Sequence, residues 1–281
     1  MINCLLIGKK TDLNFYSGII SPLKFFGTTS TFNVDETGVD TLNTNAGLFD
    51  AYIVVSPIKG FYDLFLRLMR SESNIYFVDQ PDLKTHELHQ LEQIAIESGN
   101  IVQPEIKELH HPLVQDFISI QNAHLLFRYS KSIPGKKDVR ESVLSALSFL
   151  ALLSPMPVKK IDINSIETTK NGRPTIKVRL KMYDSSICYI MIKIDNQKEH
   201  ELLIETNSGN FIFNLAENYL ENIHGTKFKS EEIADDDLVR KSLESFALNI
   251  IINKKPSFSF HHYAQSISIL SKIENILIDN F

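Results

Sequence analysis

Cysteine is scarce in this chain. Cys4 and Cys188 are the only two in 281 residues, and each lies inside an apolar, strand-like run. They read as buried free thiols rather than as a disulfide or a metal site. Long apolar runs are missing too: none approaches the ~18 residues of a membrane span. Met1 to Ile7 has neither the basic flank nor the small-residue cleavage site of a signal peptide. A cytoplasmic protein with no membrane partner is expected. No basic stripe is present, since lysines and arginines are scattered singly or in pairs under a net charge of -5. That excludes the electrostatic footprint of a nucleic-acid binder. The chain also lacks internal repeats and low-complexity segments. What remains is 43% hydrophobic and 22% charged, a globular composition long enough for two ordinary domains.

The stretch from Phe49 to Pro81 organises the rest. Asp50 to Pro57 (DAYIVVSP) and Asn74 to Pro81 (NIYFVDQP) are apolar, β-branched and aromatic runs that each end at a proline, as strands buried on both faces of a parallel sheet do. Between them Phe61, Phe65, Leu68 and Met69 share one face of a helix spanning Lys59 to Ser71, with Lys59, Asp63, Arg67 and Arg70 left for water. This is a βαβ unit. Ligands of such sheets lie beyond the strand ends, where Ser56, Pro57, Asp79, Gln80 and Pro81 fall.

A strand that begins Asp-Ala and ends at Pro57, a helix, and a strand ending Asp79-Gln80-Pro81 together resemble the glucose-fructose oxidoreductase and inositol dehydrogenase family (Gfo/Idh/MocA). In that family the second ending is typically Glu-Lys-Pro. The resemblance implies an N-terminal Rossmann-like parallel sheet with helices, a C-terminal largely antiparallel open sheet with helices, and NAD or NADP as cofactor of the active members.

The first turn departs from that expectation. Ile2 to Ile7 is a buried strand meeting Gly8, where a dinucleotide-binding fold carries G-x-G-x-x-G. Here Lys10 and Leu13 stand where the second and third glycines would be, leaving Gly8 as the tight-turn glycine. Asp12 adds a carboxylate at a helix N-terminus that otherwise favours phosphate, with Lys9 and Lys10 acting the other way. The helix from Leu13 to Leu23 is interrupted by Gly18 and ended by Pro22. The second strand, Lys24 to Phe32, ends without the acidic residue that holds a ribose; Asp35 and Glu36 follow it as loop acids.

Further along, Thr85 to Ser98 is helical and stops at Gly99. His86 and His89 on it are surface histidines without a third metal ligand. Asn100 to Gln103 forms a short strand, followed by a helix over Leu113 to Ile118. His110 and His111, just before Pro112, are the titratable candidates near the cleft. Asp138 to Leu153 reads as a helix capped by Asp138 with Glu141. Active members of the family carry a catalytic histidine there, whereas this chain has no histidine from Phe127 through Arg179.

From Ala123 the pattern turns to strands over 124–129, 158–168, 174–183, 187–195, 201–206 and 210–215, with turns at Asn171-Gly172, Asp184-Ser185, Asn196-Gln197 and Ser208-Gly209. Ile176, Val178, Leu180 and Met182 share one face, and Lys177, Arg179 and Lys181 the other. In the family such an open sheet forms the subunit interface, so the resemblance implies a homo-oligomer or a pairing with a related chain; a solvated face is the alternative. Asp235 to Ile252 is an amphipathic helix stopped by Pro256, and a last helix follows His261 and His262, which cap or decorate it. The domains divide at 1–120 and 121–281.

Function and fold separate at this point. The leading expectation is a degenerate oxidoreductase homologue acting as a non-catalytic binding or partner subunit, with a sugar-like ligand and no cofactor. The candidate cofactor-binding residues are Gly8, Ser56, Pro57, Asp79, Gln80 and Pro81, at the strand ends. The alternative is an active NAD(P)-dependent oxidoreductase on a sugar, cyclitol or related small molecule, with His110 or His111 as the acid-base group. A third is a purely structural interaction protein whose cleft is vestigial.

Overall fold

A computed structural model describes residues 1–42, 48–71, 73–118, 126–135, 138–153, 157–168, 174–206, 209–222, 227–229 and 233–278. The expected turn at Asn171-Gly172, the residue Ser208, the strand start at 124–125 and the boundary at 120 lie outside these residues. The chain forms two compact units, Met1–His110 with Ala234–Ala264, and His111–Ile233 with Gln265–Phe281. The sequence reading divided the chain once. The returning segment joins the first unit because Val239, Leu243, Phe246 and Ala247 enter the same core as Leu6, Leu13, Ile20 and Ile53.

The first unit is built on a parallel sheet of β1 (Ile2–Gly8), β2 (Phe26–Asn33), β3 (Ala51–Val54), β4 (Asn74–Phe77) and β5 (Val102–Pro104), in the order β2-β1-β3-β4-β5. Its helices are α1 (Lys10–Ile20), the short α2 (Val34–Thr37), α3 (Phe61–Arg70) and α4 (Thr85–Ser98). Every residue of β3 is buried, which is why DAYIVVSP shows no polar alternation. On one face β1 and β3 meet α1. On the other, Phe77 of β4 packs against Phe61 and Phe65 of α3. Gly18 is accommodated inside α1, with open space around it.

The second unit contains α5 (Pro112–Ile118), β6 (Leu126–Ile133), α6 (Val139–Leu153), β7 (Val158–Thr168), β8 (Pro174–Met182), β9 (Ile187–Ile194), β10 (His200–Thr206), β11 (Gly209–Asn214), β12 (Tyr219–Asn222) and β13 (Lys227–Lys229). They form an eight-stranded sheet ordered β13-β12-β11-β10-β6-β9-β8-β7. The sheet is antiparallel apart from the β6–β9 pair, which is parallel. The short edge strands β12 and β13 carry no alternating run long enough to be read from sequence. Phe127, Tyr129, Val178, Leu180, Cys188, Ile190, Leu202 and Ile204 are buried, and α6 packs on this sheet. Both cysteines are buried free thiols, and burial pushes the Cys4 thiol up to about 11.

Helix α7 (Asp235–Ile252) ends at Asn253, which takes the left-handed conformation with φ 50. The Lys254 amide then bonds to the Asn249 carbonyl at 2.9 Å. The stop therefore precedes the expected Pro256. Helix α8 (Phe260–Ile278) is entered through Ser259, whose amide donates to His262 Nδ1 at 3.1 Å, so His262 acts as a cap. Among the described residues no helix is long and apolar enough to cross a membrane.

A polar contact lies inside the first unit. Tyr16 of α1 and Tyr76 of β4 both donate to Glu105 Oε2 at 2.7 Å, and Tyr76 lies 3.0 Å from Ser242 Oγ on α7. Burial raises the Glu105 carboxyl above its ordinary value of 4.5, with the tyrosyl donors and Lys107 opposing. A raised folded-state pKa adds stability below the unfolded value and loses it as pH rises through the folded one. Gln at this position keeps an oxygen for both hydroxyls but does not titrate. The stability of the wild type relative to Glu105→Gln should therefore fall between about pH 4.5 and about pH 8 in urea unfolding. Glu105→Ala, which leaves two tyrosyl hydroxyls without their acceptor, should cost about 2–4 kcal/mol at either pH. A wild-type advantage that grows with pH contradicts this assignment.

Candidate functional site

The order β2-β1-β3 makes the gap between β1 and β3 the topological switch point, where chains leave the sheet on opposite faces and ligands enter. The residues at that gap bond to one another. Ser56, just past β3 and fully buried, accepts the Lys9 amide at 2.9 Å and donates to Asp12 Oδ2 at 2.5 Å. Asp12 lies in the first turn of α1, where the helix dipole favours a negative charge. The role of Gly8 differs from that of a tight-turn glycine: it is the last residue of β1 and has no left-handed φ. A Cβ there would lie 2.6 Å from Val55 Cγ2 and 2.7 Å from Ser56 Oγ. Glycine is needed because Val55 and Ser56, just past β3, approach so closely.

The next strand end is joined to the first. Gln80 is 2% exposed. Its Oε1 accepts the Ile58 amide at 2.9 Å, and its Nε2 donates to the Ser56 carbonyl at 3.1 Å and the Val78 carbonyl at 2.9 Å. Its own amide donates to the Tyr263 hydroxyl at 3.1 Å, and that hydroxyl donates to Asp79 Oδ1 at 2.7 Å. Asp12, Ser56, Gln80, Tyr263 and Asp79 thus form one hydrogen-bonded belt along the ends of β1, β3 and β4. Pro57 and Pro81 stand exposed beside it.

At the end of β2 the register sets Asn33 beside Gly8, in the place where a dinucleotide fold carries an acid. Asn33 caps α2 by accepting the Asp35 amide at 3.2 Å and donates to Glu36 at 2.8 Å. Tyr263 and Asn33 escaped sequence reasoning, as did the partnership of Ser56 with Asp12. Tyr263 is separated from Gln80 by 183 positions and no local pattern ties them. Asn33 was legible in principle, one residue beyond the expected strand end.

The titratable candidates part company. His110 ends the short 3-10 turn Lys107–His110 of the first unit and is half-buried. Desolvation, with Lys241 nearby, holds its imidazole down to about 4, so it is neutral at physiological pH. His111 belongs to the second unit and is 4% exposed. Its Nε2 lies 2.9 Å from Asn218 Oδ1, and its carbonyl accepts the Val114 and Gln115 amides at the start of α5. On α6, Arg140 pairs with Glu274 at 2.7 Å, Glu141 is exposed and Ser145 is buried.

A dinucleotide needs glycine clearance for its diphosphate, helix amides facing it and an acid for its ribose. The Lys9 amide is bonded to Ser56, the clearance at Gly8 is filled by Val55 and Ser56, and Asp12 brings a like charge. These residues do not fit a dinucleotide held in the usual way.

No family model matches the chain, and no curated relative does at the level of sequence. Solved structures do match. UDP-N-acetylglucosamine 3-dehydrogenase GnnA from Acidithiobacillus ferrooxidans aligns with a TM-score of 0.77 at 12% identity, covering 96% of this chain and 96% of that one. The dehydrogenase MviM from Clostridium difficile aligns with a TM-score of 0.74 at 14% identity, over 98% and 99%. Biliverdin reductase from Synechocystis, solved with biliverdin and NADP+, aligns with a TM-score of 0.70 at 13% identity, over 95% and 96%. The fold is that of the Gfo/Idh/MocA-type dehydrogenases.

The belt yields a direct expectation for Gln80. Gln80→Ala leaves the buried Ile58 amide and the Ser56 and Val78 carbonyls without their side-chain partner, and should lower unfolding stability by about 2–4 kcal/mol in denaturant titration. A loss under about 0.5 kcal/mol would mean that the amide is not structural.

Proposed function

We propose that this chain is a degenerate oxidoreductase homologue that works as a non-catalytic partner subunit, with a sugar-like ligand at the exposed rim of the cleft and no bound dinucleotide. The observation that carries this reading is Gln80. The position that holds lysine in the family holds an uncharged amide whose oxygen and nitrogen both bond to backbone. It cannot exchange a proton near neutral pH. Helix α6 offers no imidazole, and His110 is a weak base in a desolvated position. A sugar-like ligand is favoured by the nucleotide-sugar named for one structural neighbour. The rival reading, an active NAD(P)-dependent oxidoreductase, draws on the neighbour solved with NADP+.

The partner is a second copy of this chain, docked through the open face of the C-terminal sheet. Three neighbouring rows on that face support this. Register aligns Leu203, Arg128, Tyr189 and Arg179 across β10, β6, β9 and β8; the flanking rows run Glu201, Ser130, Met191, Lys177 and Glu205, Leu126, Ile187, Lys181. Across these four strands the acids lie on β10 and the lysines on β8, and one strand further Asp162 and Lys160 of β7 pair with each other. Sheets that stack face to face keep their strands roughly aligned. A two-fold axis parallel to the strands, midway between β6 and β9, sets Glu201 opposite Lys177 of the second copy and Glu205 opposite Lys181. It also sets Arg128 over the second copy's Tyr189 and Leu126 against its Ile187. An in-plane axis across the strands instead sets Glu201 against Glu205, which is repulsive. Arg128, Arg179 and Tyr189 line a groove of about 530 Å³ on this face, which side chains of the second copy would fill.

Two measurements test the proposal. NADH and NADPH fluorescence should not shift on mixing with micromolar protein, and no polyol should be turned over. A saturable shift together with turnover that His111→Ala abolishes establishes the rival reading. Native mass spectrometry should find a dimer that Glu205→Lys weakens about tenfold or more and that Glu205→Lys with Lys181→Glu restores. A dimer indifferent to both changes refutes the sheet pairing.

A further inference from the structure

We infer that Asp12 is a resident anion: its carboxylate, bonded to the Ser56 hydroxyl, occupies the seat at the β1–β3 switch point that a diphosphate occupies in a dinucleotide-binding fold, and completes the first unit without a ligand. The inference goes beyond the loss of catalysis. A site that merely lost its purpose would keep glycine-lined space or open backbone donors. Here the space and at least one donor are used. The Ser56 hydroxyl joins the two strand ends, taking the Lys9 amide at 2.9 Å and giving its proton to Asp12 at 2.5 Å.

Three further observations point the same way. Asp12 lies in the first turn of an eleven-residue helix with no other acid in that turn, the position at which a negative charge gains from the helix dipole. Gly8 has no room for a Cβ because Val55 and Ser56 fill the space beside it. Gln80 then holds the Ser56 carbonyl at 3.1 Å, fixing the loop that presents the hydroxyl. A serine bonded to a helix-terminal carboxylate supplies the negative charge that phosphate brings, along with the bridge between β1 and β3 that phosphate makes through separate backbone donors. Lys9 and Lys10 are exposed beside it, so the local charge balance resembles that of a filled site.

The test uses the full chain and sodium pyrophosphate as the probe. In phosphate-free buffer the wild-type melting temperature should not respond to pyrophosphate or to NADP+. Asp12→Gly should melt lower than wild type and recover by about 2 °C or more at millimolar pyrophosphate. Asp12→Asn, which keeps an oxygen for the Ser56 hydroxyl but removes the charge, tells charge from hydrogen bonding and serves if Asp12→Gly does not fold. It too should gain a pyrophosphate response. The inference is overturned if the wild type is stabilised as much as the variants, or if neither variant responds. These outcomes are independent of turnover: a wild type stabilised by pyrophosphate yet inert toward polyols refutes the resident anion and leaves the non-catalytic reading standing.

Discussion

One serine hydroxyl ties the first unit together at its most consequential point. Ser56 bonds the end of β3 to the turn after β1 and to the first turn of α1, across the gap where parallel sheets of this kind receive ligands. The close approach that makes this possible requires glycine at position 8. Gln80 and Tyr263 extend the same bonding to the end of β4 and to the start of α8. Buried polar groups are costly unless partnered, and at these strand ends the partners come from the chain itself. A ligand would have to displace them.

The chemical consequences follow from what those bonds leave over. Hydride transfer requires a held nicotinamide and a group that moves a hydroxyl proton. The amide at position 80 is bonded on both sides, and the imidazole at 110 is desolvated and neutral. Position 12 brings negative charge to the place where a working dehydrogenase welcomes a phosphate. The second unit is built on its own eight-stranded sheet. Its sheet buries Phe127, Tyr129, Val178, Leu180, Ile190 and Leu202 on one face, and on the other sets Glu201 and Glu205 of β10 in the same rows as Lys177 and Lys181 of β8.

Much of the fold was legible because burial writes itself into local pattern. Asp50 to Pro57 and Asn74 to Pro81 read as buried strands and contain the observed Ala51–Val54 and Asn74–Phe77, and Asp235–Ile252 read as a helix with the observed bounds, since period and end signals agreed along each of them. The return of α7 to the N-terminal unit was not legible, because it depends on Val239 and Phe246 meeting Leu6 and Ile53 across nearly the whole chain. The site was legible only in its departures: Lys10, Leu13, Asp12 and Gln80 each stood out against a motif. What they do instead, the bridge from Ser56 to Asp12 and the clamp of Gln80 on Tyr263, spans 44 and 183 positions and has no local signature.

A switch point seated by Asp12 and Ser56 leaves no place for the diphosphate of a dinucleotide. Phosphorus NMR of NADP+ reports on the diphosphate alone, independently of any reaction. With the full chain added at matching concentration, the diphosphate resonances should keep their positions and line widths. Broadening or displacement of those resonances that is reversed by excess pyrophosphate would show an open seat and contradict the account.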